Sequence, residues 1–229
     1  GESFSKKTVK GRKHRVKVHH ELMDLNTLKL NLFDDVIVTA VLDRLIKNRG
    51  SKSWIGHIEG QPNNEVFMTL RGRVMSGTVQ IGDKTYEIEP KGRNQHDIVQ
   101  VNPDKNPKHS QSKQPEDFLL SGGQIDTTLV LPSAPITSAA ATAGTIIDVL
   151  VVYTTKAKNN SSGQAGIEAK IANAVVMANQ AYLNSKIDMQ INLVGMVETN
   201  YQETGNMSTT LTDLTGTNDG KMDEIHSLR

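Results

Sequence analysis

The chain has 229 residues, no cysteine, and 26 basic against 25 acidic residues, for a formal net charge of +1. Without cysteine there are no disulfides, no thiol nucleophile and no thiolate metal ligands, so any group binding or masking a metal must be His, Asp or Glu. The length suits one large domain or two small ones, no apolar run approaches the roughly 20 residues that cross a bilayer, and no basic-then-apolar leader opens the chain, so any targeting segment is expected to be removed or lacking.

The charge is unevenly spread. Residues 1–115 carry 20 Lys/Arg against 13 Asp/Glu, residues 116–145 three acids and no base, and residues 146–229 six bases against nine acids. A basic front half and an acidic back half can dock electrostatically. Residues 1–20 read as a basic flexible lead, with Lys6, Lys7, Lys10, Arg12, Lys13, Arg15 and Lys17 opposed only by Glu2. Phe4 is the one aromatic there and no nucleic-acid motif follows, so the run predicts a solvated arm or edge strand and no nucleic-acid partner.

Residues 21–102 predict a β-rich domain. Leu28, Leu30 and Leu32 alternate with polar residues, as do Val36 and Val38, the period of half-buried strands. Further strands are predicted around Trp54 to Ile58, Val66 to Leu70, Thr78 to Ile81, Tyr86 to Ile88 and Ile98 to Val101. Gly82-Asp83 supplies the positive φ of a tight hairpin. Short strands with frequent turns predict a small antiparallel sheet or barrel.

Residues 103–145 read as a linker holding five of the seven prolines, Gly122-Gly123 and an Ala/Thr/Ser run, the exposed composition in which a processing cut falls. From Ile146 the pattern changes. Ile146 to Tyr153 is apolar at nearly every position and predicts a strand buried on both faces. Gly163 to Asn184 predicts a helix with a stripe of Ile167, Ile171, Ala174, Val175, Ala178 and Tyr182. Ile187 to Met196 predicts a second strand and Asp219 to Arg229 a second helix, with Met222, Ile225 and Leu228 as its buried side. Strand–helix–strand–helix order predicts a parallel pairing. The fold class expected is α+β: an antiparallel β-rich domain, then an incomplete α/β half-domain.

Candidate chemistry is sparse. His20-Glu21-Leu22-Met23-Asp24 mimics H-E-x-x-H with Asp last, but the neighbouring period is that of strands and no third ligand stands out, so an ordinary polar turn is expected. His57, His96 and His109 read as surface or edge residues. If linker groups mask a metal, His109, Asp104, Glu116 and Asp117 are the ones able to reach it. Asp223 and His226 share a helix face that reads as solvated. Asp213, Asn218 and Asp219-Gly220 lack the alternation of an EF-hand, and phosphate-binding glycine loops and G-x-S-x-G are missing. No catalytic, cofactor-binding or metal-ligating residue is assigned.

Ile147-Asp148-Val149-Leu150-Val151-Val152-Tyr153-Thr154, Ala178-Asn179-Gln180-Ala181-Tyr182 and Gly220-Lys221-Met222-Asp223-Glu224-Ile225-His226 resemble the first half of the catalytic domain of metzincin zinc metalloendopeptidases, in particular the reprolysin-like and bacterial peptidyl-Asp enzymes. Trp54-Ile55-Gly56-His57-Ile58, Val66 to Leu70 and Gly77 to Pro90 more loosely resemble the propeptide of secreted metalloproteases. The resemblance implies a precursor divided into a β-rich propeptide, a linker with a processing site, and an N-terminal catalytic part over 146–229. It implies zinc in the whole enzyme, held by an H-E-x-x-H-x-x-G-x-x-H helix that these residues do not contain. No metal is then expected on this chain alone, which would be inactive. The implied partners are the remaining catalytic part, covering the sheet's open edges, and peptide substrates, with no membrane. Two other readings stand beside it: a non-catalytic inhibitory or binding protein, and an unrelated extracellular β-module joined to an α/β ligand domain.

Overall fold

A computed structural model describes residues 10–48, 50–92, 94–101 and 144–228. Its first part is an eight-stranded sheet: β1 (Lys10–Lys17), β2 (Thr27–Phe33), β3 (Val36–Asn48), β4 (Ser51–Ile58), β5 (Gln61–Arg71), β6 (Val74–Ile81), β7 (Lys84–Pro90) and β8 (Gln95–Val101). Strands β2 to β8 form a meander in which each pairs antiparallel with the next, and β1 returns to pair with β8. The two edges, β1 and β2, come together through side chains. His14 Nδ1 lies 3.1 Å from the Leu32 carbonyl, Arg12 pairs with Asp35, and the Arg12 guanidinium stacks 4.3 Å from the Phe33 ring centre. The curled sheet thus encloses a core as a barrel does, with a side-chain seam where a backbone ladder would close it.

Period-two patterning builds that core. Leu28, Leu32, Ala40, Trp54, Ile58, Val66, Met68, Val79, Tyr86, Ile88 and Ile98 point inward. Trp54 is fully enclosed and its indole Nε1 donates to the Leu25 carbonyl at 3.0 Å. Gly82 turns the β6–β7 hairpin at φ 60°, the conformation that its lack of a Cβ permits.

Of the two readings of the basic lead, the flexible solvated arm is corrected over residues 10–17, which form the edge strand β1. Half-burial of His14 and Val16 on one face and ion pairs from Lys13 and Arg15 to Asp97 on the other hold it there.

The second part holds β9 (Thr145–Thr154), α1 (Thr155–Asn160), α2 (Gln164–Asn184), β10 (Met189–Thr199), α3 (Met207–Thr215) and α4 (Asp223–His226). β9 and β10 pair in parallel across the α2 crossover, so the molecule is an α+β structure, largely antiparallel sheet with added helices. Two expectations are corrected here, and one element is added to them. β9 is not buried on both faces, since Ile146 and Ile147 are 66% and 41% exposed: among the described residues it has one strand neighbour. The helix expected from Asp219 shrinks to α4, entered through Met222 in the left-handed region at φ 58°, and Leu228 is exposed. Helix α3 was not expected from its threonine-rich sequence. It starts because the Asn206 side chain accepts from Ser208 N at 2.9 Å and Thr209 N at 3.3 Å, an N-cap that offsets poor propensity.

Candidate functional site

The residues able to bind a metal are dispersed, and each described histidine has a protein partner. His20 and Asp24 lie in a 3-10 turn, His20–Asp24, where residues three apart eclipse, so these two do not share a face. Both Asp24 oxygens accept from Lys52 Nζ at 2.7 Å, His19 Nδ1 meets Glu21 at 3.1 Å, and His20 Nδ1 lies 3.6 Å from Glu21. His57 Nδ1 sits 2.8 Å from Asp43. His226 Nε2 donates to the Gly216 carbonyl at 2.7 Å, and Asp223 accepts from Gly220 N at 2.9 Å, so the 223/226 pair is turned to its own loop. His109, Asp104, Glu116 and Asp117 lie outside the described residues. Among the described residues no three His, Asp or Glu side chains gather as a metal site. These residues do not fit a zinc centre, and no catalytic step is derived through them.

His96 is enclosed at the start of β8. Its Nε2 accepts from Met75 N at 3.0 Å, and burial pushes the imidazole below its usual range. The neighbouring Asp97 carboxyl is also wholly buried. Burial alone would raise it, but the Arg15 and Lys13 side chains at 2.9 and 2.6 Å outweigh that and hold it below the ordinary carboxylate range. In the second part Lys221 Nζ at 2.8 Å and the Tyr201 hydroxyl at 2.7 Å lower Asp213 in the same way. These are ties between elements: β1 to β8, and the loop after β10 to α3.

The most developed constellation lies where α2 crosses the outside of the large sheet. There consecutive residues are buried, 53–56 of β4, 66–70 of β5 and 74–79 of β6, because their inner positions face the barrel core while their outer positions face α2. The strand registers align Ile55, Phe67 and Thr78 in one outer row and Ser53, Thr69 and Ser76 in the next. Ile55, Phe67 and Val176 form an apolar cluster flanked by Ile46 and Met177. Beside it, the buried Asn173 accepts from Thr69 Oγ1 at 3.2 Å and donates to Thr78 Oγ1 at 3.4 Å, and Thr69 also bonds Ser53 Oγ at 2.9 Å.

Charged and amide pairs flank this centre along the helix. Arg71 of β5 pairs with Glu168, which also accepts from Gln164 at 2.9 Å. Arg44 of β3 donates to Gln180 Oε1 at 3.0 Å, and Asn184 donates to Glu65 Oε1 at 2.9 Å. At the N-terminal end the Ser162 hydroxyl donates to the Pro90 carbonyl at 2.8 Å.

The face of α2 that is most deeply buried is therefore Gly166, Glu168, Ala169, Asn173 and Val176, not the stripe the sequence predicts. Ile167, Ile171, Val175, Ala178 and Tyr182 are half-buried and Ala174 is exposed. Between those faces Asn179 reaches β10, donating to Ile191 O at 2.9 Å and accepting from Ile191 N at 2.8 Å. The sequence signal overlooked was Ile55 and Phe67, apolar at the opposite parity from Trp54, Val66 and Met68, which marks strands covered on both sides.

No family model matches the chain. It is similar to peptidyl-Asp metalloendopeptidases of two strains of Stenotrophomonas maltophilia, each 32% identical over 173 residues, covering 75% of this chain and 39% of the relative. It is likewise similar to the peptidyl-Asp metalloendopeptidase of Xanthomonas campestris pv. campestris, 32% identical over 171 residues, or 73% of this chain and 38% of that protein. The chain thus spans about two fifths of the length of the curated relatives it matches. The part from residue 144 is too short to hold such a match, so the likeness to these metalloendopeptidases takes in residues of the large sheet as well as of the α/β part.

Proposed function

We propose that this chain is the N-terminal portion of the precursor of a secreted zinc-dependent metalloendopeptidase. In this reading residues 21–102 are a propeptide that assists folding and maintains latency, residues 103–145 carry the processing site, and residues 146–229 begin a metzincin-like catalytic domain. One observation carries the reading: a likeness to metalloendopeptidases that runs through both parts of the chain while covering about two fifths of the relatives. The parallel β9–α2–β10 unit supports it, being the strand–helix–strand order that opens such a domain.

The zinc ligands belong, on this reading, to the length of the relatives that the chain does not span. When bound, zinc polarises a peptide carbonyl and lowers the pKa of its water. The described residues supply scaffold: β9 and β10 the start of the sheet, α2 its cover, and the large sheet the cover of α2.

The test is to read the coding sequence beyond Arg229 and to assay the encoded protein for peptide-bond cleavage before and after a cut within residues 103–145. A downstream H-E-x-x-H and metal-dependent cleavage that rises after the cut are expected. A stop codon, with inhibition of a metalloprotease by the purified chain, would replace the reading with that of a non-catalytic inhibitory protein.

A further inference from the structure

We propose that His96 pins shut a break in the barrel wall between β6 and β7, and that a proton on its ring opens the wall there while the rest of the sheet stays closed. The inference concerns only the large sheet and the turn before α2, and does not depend on the precursor reading.

The strand registers locate the break. The β6–β7 ladder stops at Gly77–Ile88, although the strands run on to Val74 and Pro90. Continued for two residues, the same register would set Met75 opposite Pro90, which has no N–H to give a ladder. The backbone groups left over there find partners elsewhere. Met75 N donates to His96 Nε2 at 3.0 Å, and the Pro90 carbonyl accepts from the Ser162 hydroxyl at 2.8 Å. His96 itself stands in the ladder between Val16 of β1 and Pro90 of β7. One enclosed imidazole therefore joins β6 to β8 across a gap that β7 does not bridge, where the second part touches the sheet.

An imidazole accepts at Nε2 only while that nitrogen carries no proton; a proton there sets two donors against each other. The charged groups around the ring do little to ease this. β6 has none, and on β7 Glu89 lies opposite Asp97, with Lys91 3.7 Å from it. β1 brings Lys13 and Arg15, both engaged with Asp97, and Lys17, opposite Gln95. β5 ends in Arg71, engaged with Glu168, and the second part reaches Pro90 through the uncharged Ser162 and Gly166. Burial outweighs the attraction of Asp97 and holds the closed ring below its usual range. An opened, hydrated ring returns to about 6.5, so the opened form binds the extra proton. Opening is promoted as pH falls below that value, by up to about tenfold per pH unit, and levels off once the closed ring titrates.

Amide hydrogen exchange on the full chain, read by NMR between pH 7 and 5 and corrected for the intrinsic pH dependence, tests this. Protection of the Met75 amide should fall by up to about tenfold per pH unit below about pH 6.5, while amides of the β3–β4 ladder keep theirs. In His96→Gln the side-chain carbonyl still accepts from Met75 N but does not titrate, so the slope should vanish. If that variant does not fold, the wild-type ring decides: its own NMR titration should have a midpoint below about 6.5. The proposal is overturned by Met75 protection that does not change with pH, by a loss shared equally with β3–β4, by a slope that survives in His96→Gln, or by a wild-type ring that titrates at the ordinary value. Peptidase activity is not a readout, so its failure and that of the precursor reading are told apart.

Discussion

Asn173 is the residue on which the packing of α2 most depends, because its amide meets a hydroxyl on each of two strands in a closed site. Asn173→Leu fills similar space but removes the bonds to Thr69 and Thr78, and is expected to lower stability by about 1–3 kcal/mol. Equilibrium urea unfolding measures this; an unchanged midpoint would show that the network is not structural. Arg71→Ala leaves Glu168 enclosed without its ion pair. As the Arg71 side chain is 28% exposed, the loss should fall below the ~3–5 kcal/mol of a wholly buried pair.

His96 and the buried or paired carboxylates set the dependence on pH. Burial lowers the folded-state pKa of His96, so between that value and the unfolded value of about 6.5 the unfolded chain binds the extra proton. Stability from this group is therefore complete above about pH 6.5 and declines as pH falls. Asp97 is lowered, and Asp35 is held at about 2 by the Arg12 side chain. Their contributions are present above the ordinary carboxylate range near 4 and are lost as pH drops through the folded values. Thermal midpoints should thus fall in two stages on acidification. In His96→Gln the first stage should vanish and the second remain. A midpoint constant from pH 7 to 5 in the wild type would contradict the buried neutral imidazole.

Among elements, α2 is bound on two sides by different means. At its first turn the helix packs so closely on the turn leaving α1 that a Cβ built on Gly166 would overlap the Ser161 carbonyl and lie 3.3 Å from Pro90 of β7. Gly166→Ala is therefore expected to destabilise by about 1–3 kcal/mol through overpacking, although alanine is the better helix former. Toward the parallel pair, Asn179 occupies both backbone groups of Ile191 and blocks the outer edge of β10 there. Asn179→Ala should free that edge, read as faster hydrogen exchange at Ile191 with little change in the large sheet.

The strands of the sheet were legible because leucines and valines alternate, as at Leu28, Leu30, Leu32 and Val36. Position in the fold was less so. β1 is rich in charge, and its order rests on partners distant in sequence: Asp97 and Asp35 for its cations, and the core against which Val16 packs. The sheet-facing side of α2 was hidden because its buried residues include Glu168 and Asn173, which hydropathy assigns to solvent. α3 was hidden because a single side-chain cap initiates it, a local signal that periodicity does not contain. Of the histidines weighed, His57 is a partly buried residue of β4 paired with Asp43, and His96, read as a surface or edge residue because hydropathy assigns its ring to solvent, is enclosed.

At the scale of the molecule, a basic sheet and an acidic α/β part meet through α2, and the ion pair Arg71–Glu168 and the bond Arg44–Gln180 place the cations on the sheet side. In the second part Ile146 and Ile147 of β9 are exposed, as is Met207 at the start of α3, at 86%. On the precursor reading proposed above, these residues supply framework of a metalloendopeptidase and the metal site lies in the length of the relatives that the chain does not span. Zinc content, measured by mass spectrometry on the purified 229-residue chain and on the same chain extended through the downstream coding sequence, tests it most directly. The account predicts no stoichiometric zinc on the first and one tightly held zinc on the second; one zinc per chain on the first would contradict it.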